Sequence, residues 1–194
     1  MSTAKDKIVI AALDLLRRSG LAGAGINQVI DASGAPKGSL YHYFPGGKLE
    51  LVGRALRQAE EVIGASLQNI FGQPVSLAQK VETLFTTTAR KTEANAFTKS
   101  CPVAAVVLDI EPDMQQLRDV CEQILQNWQR IVAAGLDEVP DRQRQGIAEL
   151  ILATMEGALI LSRATASKEP IVRAGTWLAE MLALKFPSTP RRNV

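Results

Sequence analysis

Histidine and cysteine are scarce in this sequence, and their scarcity limits the chemistry that the chain can perform. Among 194 residues there are one histidine, His42, and two cysteines, Cys101 and Cys121. These residues do not have metal-ligand spacing, no glycine-rich loop could cradle a phosphate, and nothing pairs a nucleophile with a base. We therefore expect neither an enzyme nor a bound metal or other cofactor. Two cysteines in helical patterns also do not form a disulfide framework.

Long apolar runs and β-strand patterns are also missing. No apolar run is long enough to cross a membrane, and residues 1–8 are polar and charged, unlike a secretory signal. The sequence therefore predicts a cytoplasmic protein with no membrane partner. Aromatic residues make up only 5% of the chain, while Ala, Leu, Gln and Glu are abundant, which favours helices throughout. We expect an all-α fold.

Basic charge is concentrated at the start of the chain. Residues 1–56 contain seven lysines and arginines and four acidic residues, a net charge of +3, whereas the whole chain carries +2. The remaining residues therefore carry −1. A basic head on a nearly neutral body is typical of a small DNA-binding domain joined to a sensing or oligomerising domain.

Apolar periodicity and chain breakers predict about nine helices in two domains. The first domain, residues 1–50, is a three-helix head, and the second, residues 51–188, is a larger helical body. A long fourth helix beginning at Lys48 joins them without a flexible linker. The predicted helices span about 3–19, 26–33, 36–44, 48–71, 76–93, 101–108, 112–134, 142–165 and 171–185.

The most informative stretch is Gly34–Leu51. Gly34 supplies a tight turn where a positive φ costs little, and Pro36 suits the first position of a short helix. Leu40 and Phe44 lie four residues apart and anchor that helix to the core. Three short helices with a tight glycine turn before the third are typical of a helix-turn-helix.

Polar residues exposed on the third helix are candidates for DNA contacts, because an α-helix fits the major groove. Lys48 is assigned to a phosphate, since the free N–H groups at a helix start bind anions. Of the two tyrosines, Tyr43 is the better candidate for a structural role. The predicted DNA-binding residues are Asn27, Gln28, Lys37, Gly38, Ser39, Tyr41, His42, Tyr43 and Lys48.

The same stretch resembles the TetR family of bacterial transcriptional regulators. The resemblance is carried by Gly-x-x-Lys-Gly-Ser-Leu-Tyr-x-x-Phe from Gly34, followed by Lys48, and the segment Cys101-Pro102-Val103-Ala104-Ala105 resembles the LmrA/YxaF-like branch. It implies a homodimer of nine-helix chains on a near-palindromic DNA operator. It also implies that residues 1–50 are a helix-turn-helix DNA-binding domain and that residues 51–188 are a ligand-binding and dimerisation domain with an effector pocket inside it. Filling that pocket would shift the fourth helix, lower DNA affinity and relieve repression.

The body offers candidates for both the pocket and the dimer interface. Soft or aromatic residues on its helices predict a small apolar or aromatic effector. Both of the last two helices are apolar around much of their circumference, so we expect them to pair with a second copy. The predicted pocket residues are Phe85, Cys101, Met114, Cys121, Trp128 and Met155. The predicted interface residues are Ile147, Leu150, Ile151, Met155, Ala158, Leu159, Val172, Trp177, Leu178, Met181 and Leu182.

Two alternative functions stay open at this point. The chain could be a regulator that senses oxidation through Cys101 or Cys121, although the sequence shows no basic neighbour that would activate either thiol. It could also be a helical protein-interaction module without DNA binding. The grouping of Lys37, Tyr41 and His42 near Lys48 argues against the second alternative.

Overall fold

The computed structural model describes residues 3–187, and for Lys37 it describes only the backbone. Within these residues the chain forms nine helices and no strand, which confirms the predicted all-α class. The helices are α1 Ala4–Gly23, α2 Ile26–Ser33, α3 Lys37–Tyr43, α4 Gly47–Phe71, α5 Leu77–Ala94, α6 Pro102–Val107, α7 Gln115–Ala134, α8 Asp141–Thr165 and α9 Glu169–Lys185.

Local capping signals fix several of the helix boundaries. Thr3 and Asp6 form a reciprocal capping box at the start of α1, which satisfies two N–H groups that the helix itself leaves unpaired. Helix α7 begins at Gln115, later than the predicted residue 112, because Pro112 lies in a turn closed by the Met114 N–H bonded to the Glu111 carbonyl at 3.0 Å. Proline is favoured at this second position of a turn.

Helix α1 contains a sharp kink at Gly20, where we predicted its end. Gly20 has φ 66° and ψ −166°, and helical residues resume after it as far as Gly23. This backbone region is essentially restricted to glycine. The kink leaves the N–H groups of Leu21 and Ala22 without partners inside the helix, so other elements must satisfy them.

The described residues pack as two compact units. Unit 1 comprises the residues up to Ile63 together with Thr98–Gln126, and unit 2 comprises Gly64–Phe97 together with the residues from Asn127 onward. This division differs from the predicted domains 1–50 and 51–188 (residue 188 lies outside the described part). The segment before and within α6 belongs with the head because it is bonded to α1: Ser100 donates its N–H to the Arg17 carbonyl at 2.8 Å.

In unit 1, helices α1, α2 and α3 pack against one another. Ile8, Ala12 and Leu16 form a buried stripe on α1, and the neighbouring Leu15 is only half-buried. This three-helix core is the platform that positions the candidate site.

In unit 2, α9 packs closely on α5 and α8. The approach to α5 requires a small residue, since a Cβ on Gly175 would lie 2.4 Å from the Cβ of Phe85. The buried ammonium of Lys80 donates to the Gly135 carbonyl at 2.8 Å. Among the described residues, the helices lack the combination of length and apolar character that a membrane span requires.

Many residues predicted for a dimer interface are instead buried within unit 2. They face the core of their own chain because α5, α8 and α9 pack together. These buried residues are Ile147, Ile151, Met155, Ala158, Leu178 and Leu182. Leu150, Trp177 and Met181 are exposed, as an interface would need.

Candidate nucleic-acid interface

The turn between α2 and α3 is built around Gly34. Gly34 has φ 64° and donates its N–H to the Ile30 carbonyl, which ends α2 in the left-handed conformation that glycine adopts easily. Pro36 then precedes α3 as its cap, with φ −58° and ψ 141°. The prediction that Pro36 is the first helical residue was therefore wrong by one position, because its extended ψ delays the helix to Lys37.

Two buried side chains hold α3 against the core, as predicted. Leu40 is 0% exposed and Phe44 is 1% exposed. The ammonium of Lys5 lies 5.7 Å from the centre of the Phe44 ring, a distance at which a cation is attracted to the ring face. The orientation of α3 is therefore set by its apolar side, which leaves its other side turned toward solvent.

The solvent side of α3 carries several of the predicted DNA-binding residues. Tyr41 is 58% exposed, His42 and Gly38 are exposed, and Ser39 is half-buried. A Cβ on Gly38 would meet nothing within 4 Å, so packing within the chain does not require glycine there. The Lys37 side chain lies outside the described part of the structure.

Tyr43 is half-buried and supports its neighbour. Its ring packs edge-on against the His42 ring, with the centroids 5.1 Å apart. Aromatic pairs favour this arrangement, so Tyr43 orients the imidazole of His42. A structural role for Tyr43 and its contact with DNA both stay predictions.

Lys48 makes an internal contact that the sequence did not reveal. Its ammonium donates to the Leu21 carbonyl at 2.7 Å. At the start of α4, the Glu50 carboxylate accepts the Gly46 N–H at 2.7 Å, and Gly47 has φ 69°. The start of α4 therefore already has one anionic partner, which the sequence argument for a phosphate had not included.

On α2, Asn27 and Gln28 are both exposed, as predicted. Gln28 also has a structural role, because its side-chain oxygen accepts the Gly25 N–H at 2.7 Å. The three-residue spacing of a capping box was the signal for this bond. It was missed because Gly25 has no side chain to complete the usual pattern.

Acidic groups on α1 are held ionised by nearby donors. The Thr3 backbone N–H and hydroxyl keep the pKa of Asp6 below its usual value. Burial opposes ionisation of Asp14, but hydrogen bonds from Lys99 and Arg18 hold its pKa below the usual value. Arg18 pairs with Asp14 at 2.7 Å, so this arginine is engaged within α1.

Two family models match the chain, one in its N-terminal part and one in its C-terminal part. The model described as bacterial regulatory proteins of the tetR family matches residues 8–55. The model described as the C-terminal domain of LmrA/YxaF-like transcriptional regulators matches residues 78–176, about half of the chain.

The chain belongs to the TetR family of bacterial transcriptional regulators. It is a DNA-binding regulator in the LmrA/YxaF-like branch, as the residues of Gly34–Leu51 and Cys101–Ala105 indicated. These matches are to regulators of transcription and not to enzymes.

Individual relatives agree with this assignment. The HTH-type transcriptional regulator YxaF of Bacillus subtilis is 28% identical over 170 residues, which cover 87% of this chain and 89% of YxaF. A TetR regulatory protein of Rhodobacter sphaeroides has the same fold, with a TM-score of 0.82 at 20% identity over 91% of this chain and 97% of that one. A cysteine mutant of the TetR-family regulator CifR, solved with a 26-base-pair operator, has a TM-score of 0.77 at 20% identity over 90% of this chain and 94% of that one.

The predicted effector residues of this TetR-family chain are divided between the two units. Cys101, Met114 and Cys121 lie in unit 1, whereas Phe85, Trp128 and Met155 lie in unit 2. All are buried except Met114, which is half-buried.

Two clefts in the described part of the structure are lined by residues other than those predicted to bind the effector. One, of about 290 Å³ in unit 1, has Phe44, Leu49 and Leu117 among its lining residues. The other, of about 440 Å³ in unit 2, is lined in part by Phe71 and Ile131.

Both cysteines are buried free thiols. Burial raises the pKa of Cys121 to about 11, and reactive cysteines instead have lowered pKa values and solvent access. Cys101 is 9% exposed and precedes α6. The environment of Cys121 therefore disfavours the oxidation-sensing alternative.

We expect iodoacetamide to leave Cys121 unmodified in the folded protein at pH 8, because only about one thiol in a thousand is ionised there. Mass spectrometry of the alkylated protein would measure this, with a Cys101→Ser variant isolating the signal of Cys121. Alkylation in urea should modify Cys121 fully. Rapid modification of the folded variant would instead restore the oxidation-sensing alternative.

Proposed function

We propose that this TetR-family protein is a repressor that binds a near-palindromic operator as a homodimer and releases it when a small apolar or aromatic effector binds. The observation that carries the proposal is the two-sided character of α3. Its apolar side is buried through Leu40 and Phe44, while Tyr41 and His42 are exposed on a helix that follows a tight turn. Such a protein would act in the cytoplasm, where its operator lies.

Sequence readout is assigned to α3. The exposed Tyr41 ring can pack on a thymine methyl group, and His42 and Ser39 can donate to base edges or phosphates. Gly38 lets the backbone approach the DNA closely. The structural neighbour solved with operator DNA supports this use of the fold in the family.

Lys48 is assigned to the DNA backbone. An ammonium has three donors, and the Leu21 carbonyl accepts one of them. The remaining two can bond a phosphate, and the internal bond fixes the direction in which they point. Lysine–phosphate contacts add affinity for every sequence and do not discriminate among bases.

Dimerisation is assigned to α8 and α9. These adjacent helices expose several large apolar side chains, and exposed apolar patches of this kind mark interaction sites. The exposed residues are Leu150, Ile160, Leu161, Trp177, Met181 and Leu184. A second copy presenting the same surface would cover them and bring two reading heads to one operator.

Effector binding is assigned to the body. Its support is the match of residues 78–176 to the LmrA/YxaF-like C-terminal domain, together with the buried Phe85, Trp128 and Met155 of unit 2. Polarisable and aromatic side chains of this kind adapt to apolar ligands.

Lys48→Met should weaken binding to all DNA sequences about equally and lower the salt dependence of affinity by about one phosphate contact. Tyr41→Ala should instead reduce discrimination between operator and unrelated DNA by about 1–3 kcal/mol, with a nearly unchanged salt dependence. Fluorescence anisotropy on the intergenic DNA upstream of the gene, titrated at several salt concentrations, would measure both quantities.

The matched control is Lys91→Met, which removes an exposed lysine from α5 and should change neither quantity. If neither Lys48→Met nor Tyr41→Ala differs from the control, α3 and Lys48 do not contact DNA as proposed. If the wild-type chain does not bind this DNA, the protein-interaction alternative gains support.

Trp177→Glu should convert the homodimer into monomers, because the indole is 64% exposed on α9 and burying a carboxylate in an apolar interface is costly. Sedimentation velocity would report the change in mass. Val62→Glu, which alters a 66% exposed residue of α4, should leave the dimer intact. A dimeric Trp177→Glu variant would place the interface elsewhere.

A compound that binds the body should raise the unfolding temperature and lower affinity for the operator. At a concentration 100 times its Kd, it should stabilise the chain by about 2.7 kcal/mol. A thermal-shift screen with apolar aromatic compounds, followed by anisotropy with each stabilising compound, would test this. Met155→Ala should change the Kd of the compound more than Met155→Leu does, because leucine is similar in size to methionine and alanine is much smaller. A screen without stabilising compounds would indicate a constitutive repressor.

A further inference from the structure

The peptide group between Leu21 and Ala22 is bonded at both ends by charged side chains. Its N–H, on Ala22, donates to the Asp109 carboxylate at 3.4 Å. Its carbonyl, on Leu21, accepts from the Lys48 ammonium at 2.7 Å. The same carboxylate oxygen accepts the Leu21 N–H at 2.8 Å. All these groups belong to unit 1.

This arrangement depends on the kink at Gly20. The kink frees the N–H groups of Leu21 and Ala22 from the α1 hydrogen-bond ladder. It also makes room for Asp109, because a Cβ on residue 20 would lie 2.6 Å from the carboxylate oxygen. Asp109 therefore acts as a helix cap supplied by a distant part of the chain.

Asp109 lies just after α6, and the other end of that segment is bonded to α1 as well. The Arg17 carbonyl accepts the Ser100 N–H at 2.8 Å and the Ser100 hydroxyl at 3.0 Å. The Lys99 ammonium pairs with Asp14 at 2.6 Å. Residues 99–109 are thus bonded to α1 at two places, and only the contact made by Asp109 leads on to Lys48.

Hydrogen bonds at the two ends of one peptide group reinforce each other, because each increases the polarity of the group. The two bonds that Asp109 accepts, at 2.8 Å from the Leu21 N–H and 3.4 Å from the Ala22 N–H, therefore strengthen the bond to Lys48 and contribute to the direction of the Leu21 carbonyl. The buried Leu21 side chain holds its Cα in place, and the Leu21 carbonyl also accepts the Ala24 N–H at 3.4 Å. That bond is long and glycines flank this turn at positions 20 and 23, so the bonds from Asp109 add to the restraint on the rotation of the peptide.

We propose that Asp109 is a positioning residue for DNA binding, which acts through the Leu21–Ala22 peptide to orient the Lys48 ammonium toward a phosphate. The proposal rests on the proposed function, in which Lys48 contacts the operator backbone. It makes the position of residue 109, and so of the end of α6, a determinant of the electrostatic part of DNA affinity.

The test is a double-mutant cycle of Asp109→Ala and Lys48→Met, measured by anisotropy on a labelled duplex from the DNA upstream of the gene. We expect Asp109→Ala to lower affinity for DNA about fivefold or more. It should also reduce the salt slope, which is the slope of log affinity against log salt concentration, by about 0.9 in magnitude, the value of one phosphate contact. The double variant should bind no more weakly than Lys48→Met alone. Loss of a negative charge would by itself strengthen DNA binding, so the expected weakening has the opposite sign.

Two variants separate this role from general damage to the fold. Asp109→Asn keeps an oxygen that can accept both N–H groups, and it should restore most of the affinity and salt slope. Asp14→Asn breaks the ion pairs with Lys99 and Arg18 but leaves the Leu21–Ala22 peptide untouched, so its salt slope should equal that of the wild type.

A second readout needs no DNA and no alanine variant. In NMR spectra of the free protein, Asp109→Asn should move the Ala22 amide proton upfield, and Lys48→Met should move the same signal. The proposal would be overturned if the Asp109→Ala variant had the same salt slope as the wild type, or if the Lys48→Met substitution left the Ala22 signal unchanged. Either result would leave the proposed function intact. Absence of DNA binding by the wild type, or a Lys48→Met variant that binds normally, would overturn the contact on which both depend.

Discussion

Burial of Leu40 and Phe44 is the interaction on which the candidate interface depends. Helix α3 has seven residues, and a helix this short is not stable alone in water. Each buried side chain contributes about 1.5–3 kcal/mol through removal of apolar surface from water, which fixes both the existence and the rotation of the helix. Tyr41 and His42 are both exposed because Leu40 and Phe44, on the opposite side of the helix, are buried in the core.

Helix α1 extends this platform beyond the helix-turn-helix. It packs on α2 and α3, and its kinked end is bonded to Lys48 and to the segment around α6. Ser100 and Asp109 lie inside the region matched by the C-terminal family model, yet they pack with the head. The division between the units after Ile63 falls between the two matched regions, but the C-terminal match is itself divided, because its residues 98–126 pack with the head. Residues assigned by sequence to the body form part of the scaffold of the reading head.

Signals confined to a few neighbouring residues were predictable from the sequence. The capping role of Thr3, the turn at Gly34 and the buried pair on α3 follow from local spacing, so the order of the helices and the helix-turn-helix were predicted correctly. The bonds of Leu21 to Lys48 and Asp109 join residues 27 and 88 positions apart. No local pattern specifies such pairs, because they exist only after α1, α4 and α6 have packed. The apolar character of α8 and α9 was also evident, but the side of each helix that faces the core depends on where α5 lies.

Each unit has a feature that a single copy of the chain leaves unsatisfied. The head presents α3, seven residues long, as its candidate DNA-reading surface, and this area is too small for a specific site on DNA. Unit 2 exposes large side chains such as Trp177 and Leu184, which a monomer gains nothing by leaving in water. Pairing two copies through α8 and α9 would remedy both deficits, because it buries the apolar surface and doubles the number of DNA contacts. The free energy of dimerisation would then contribute to operator affinity, and the two-fold axis of the dimer would impose the symmetry of the operator.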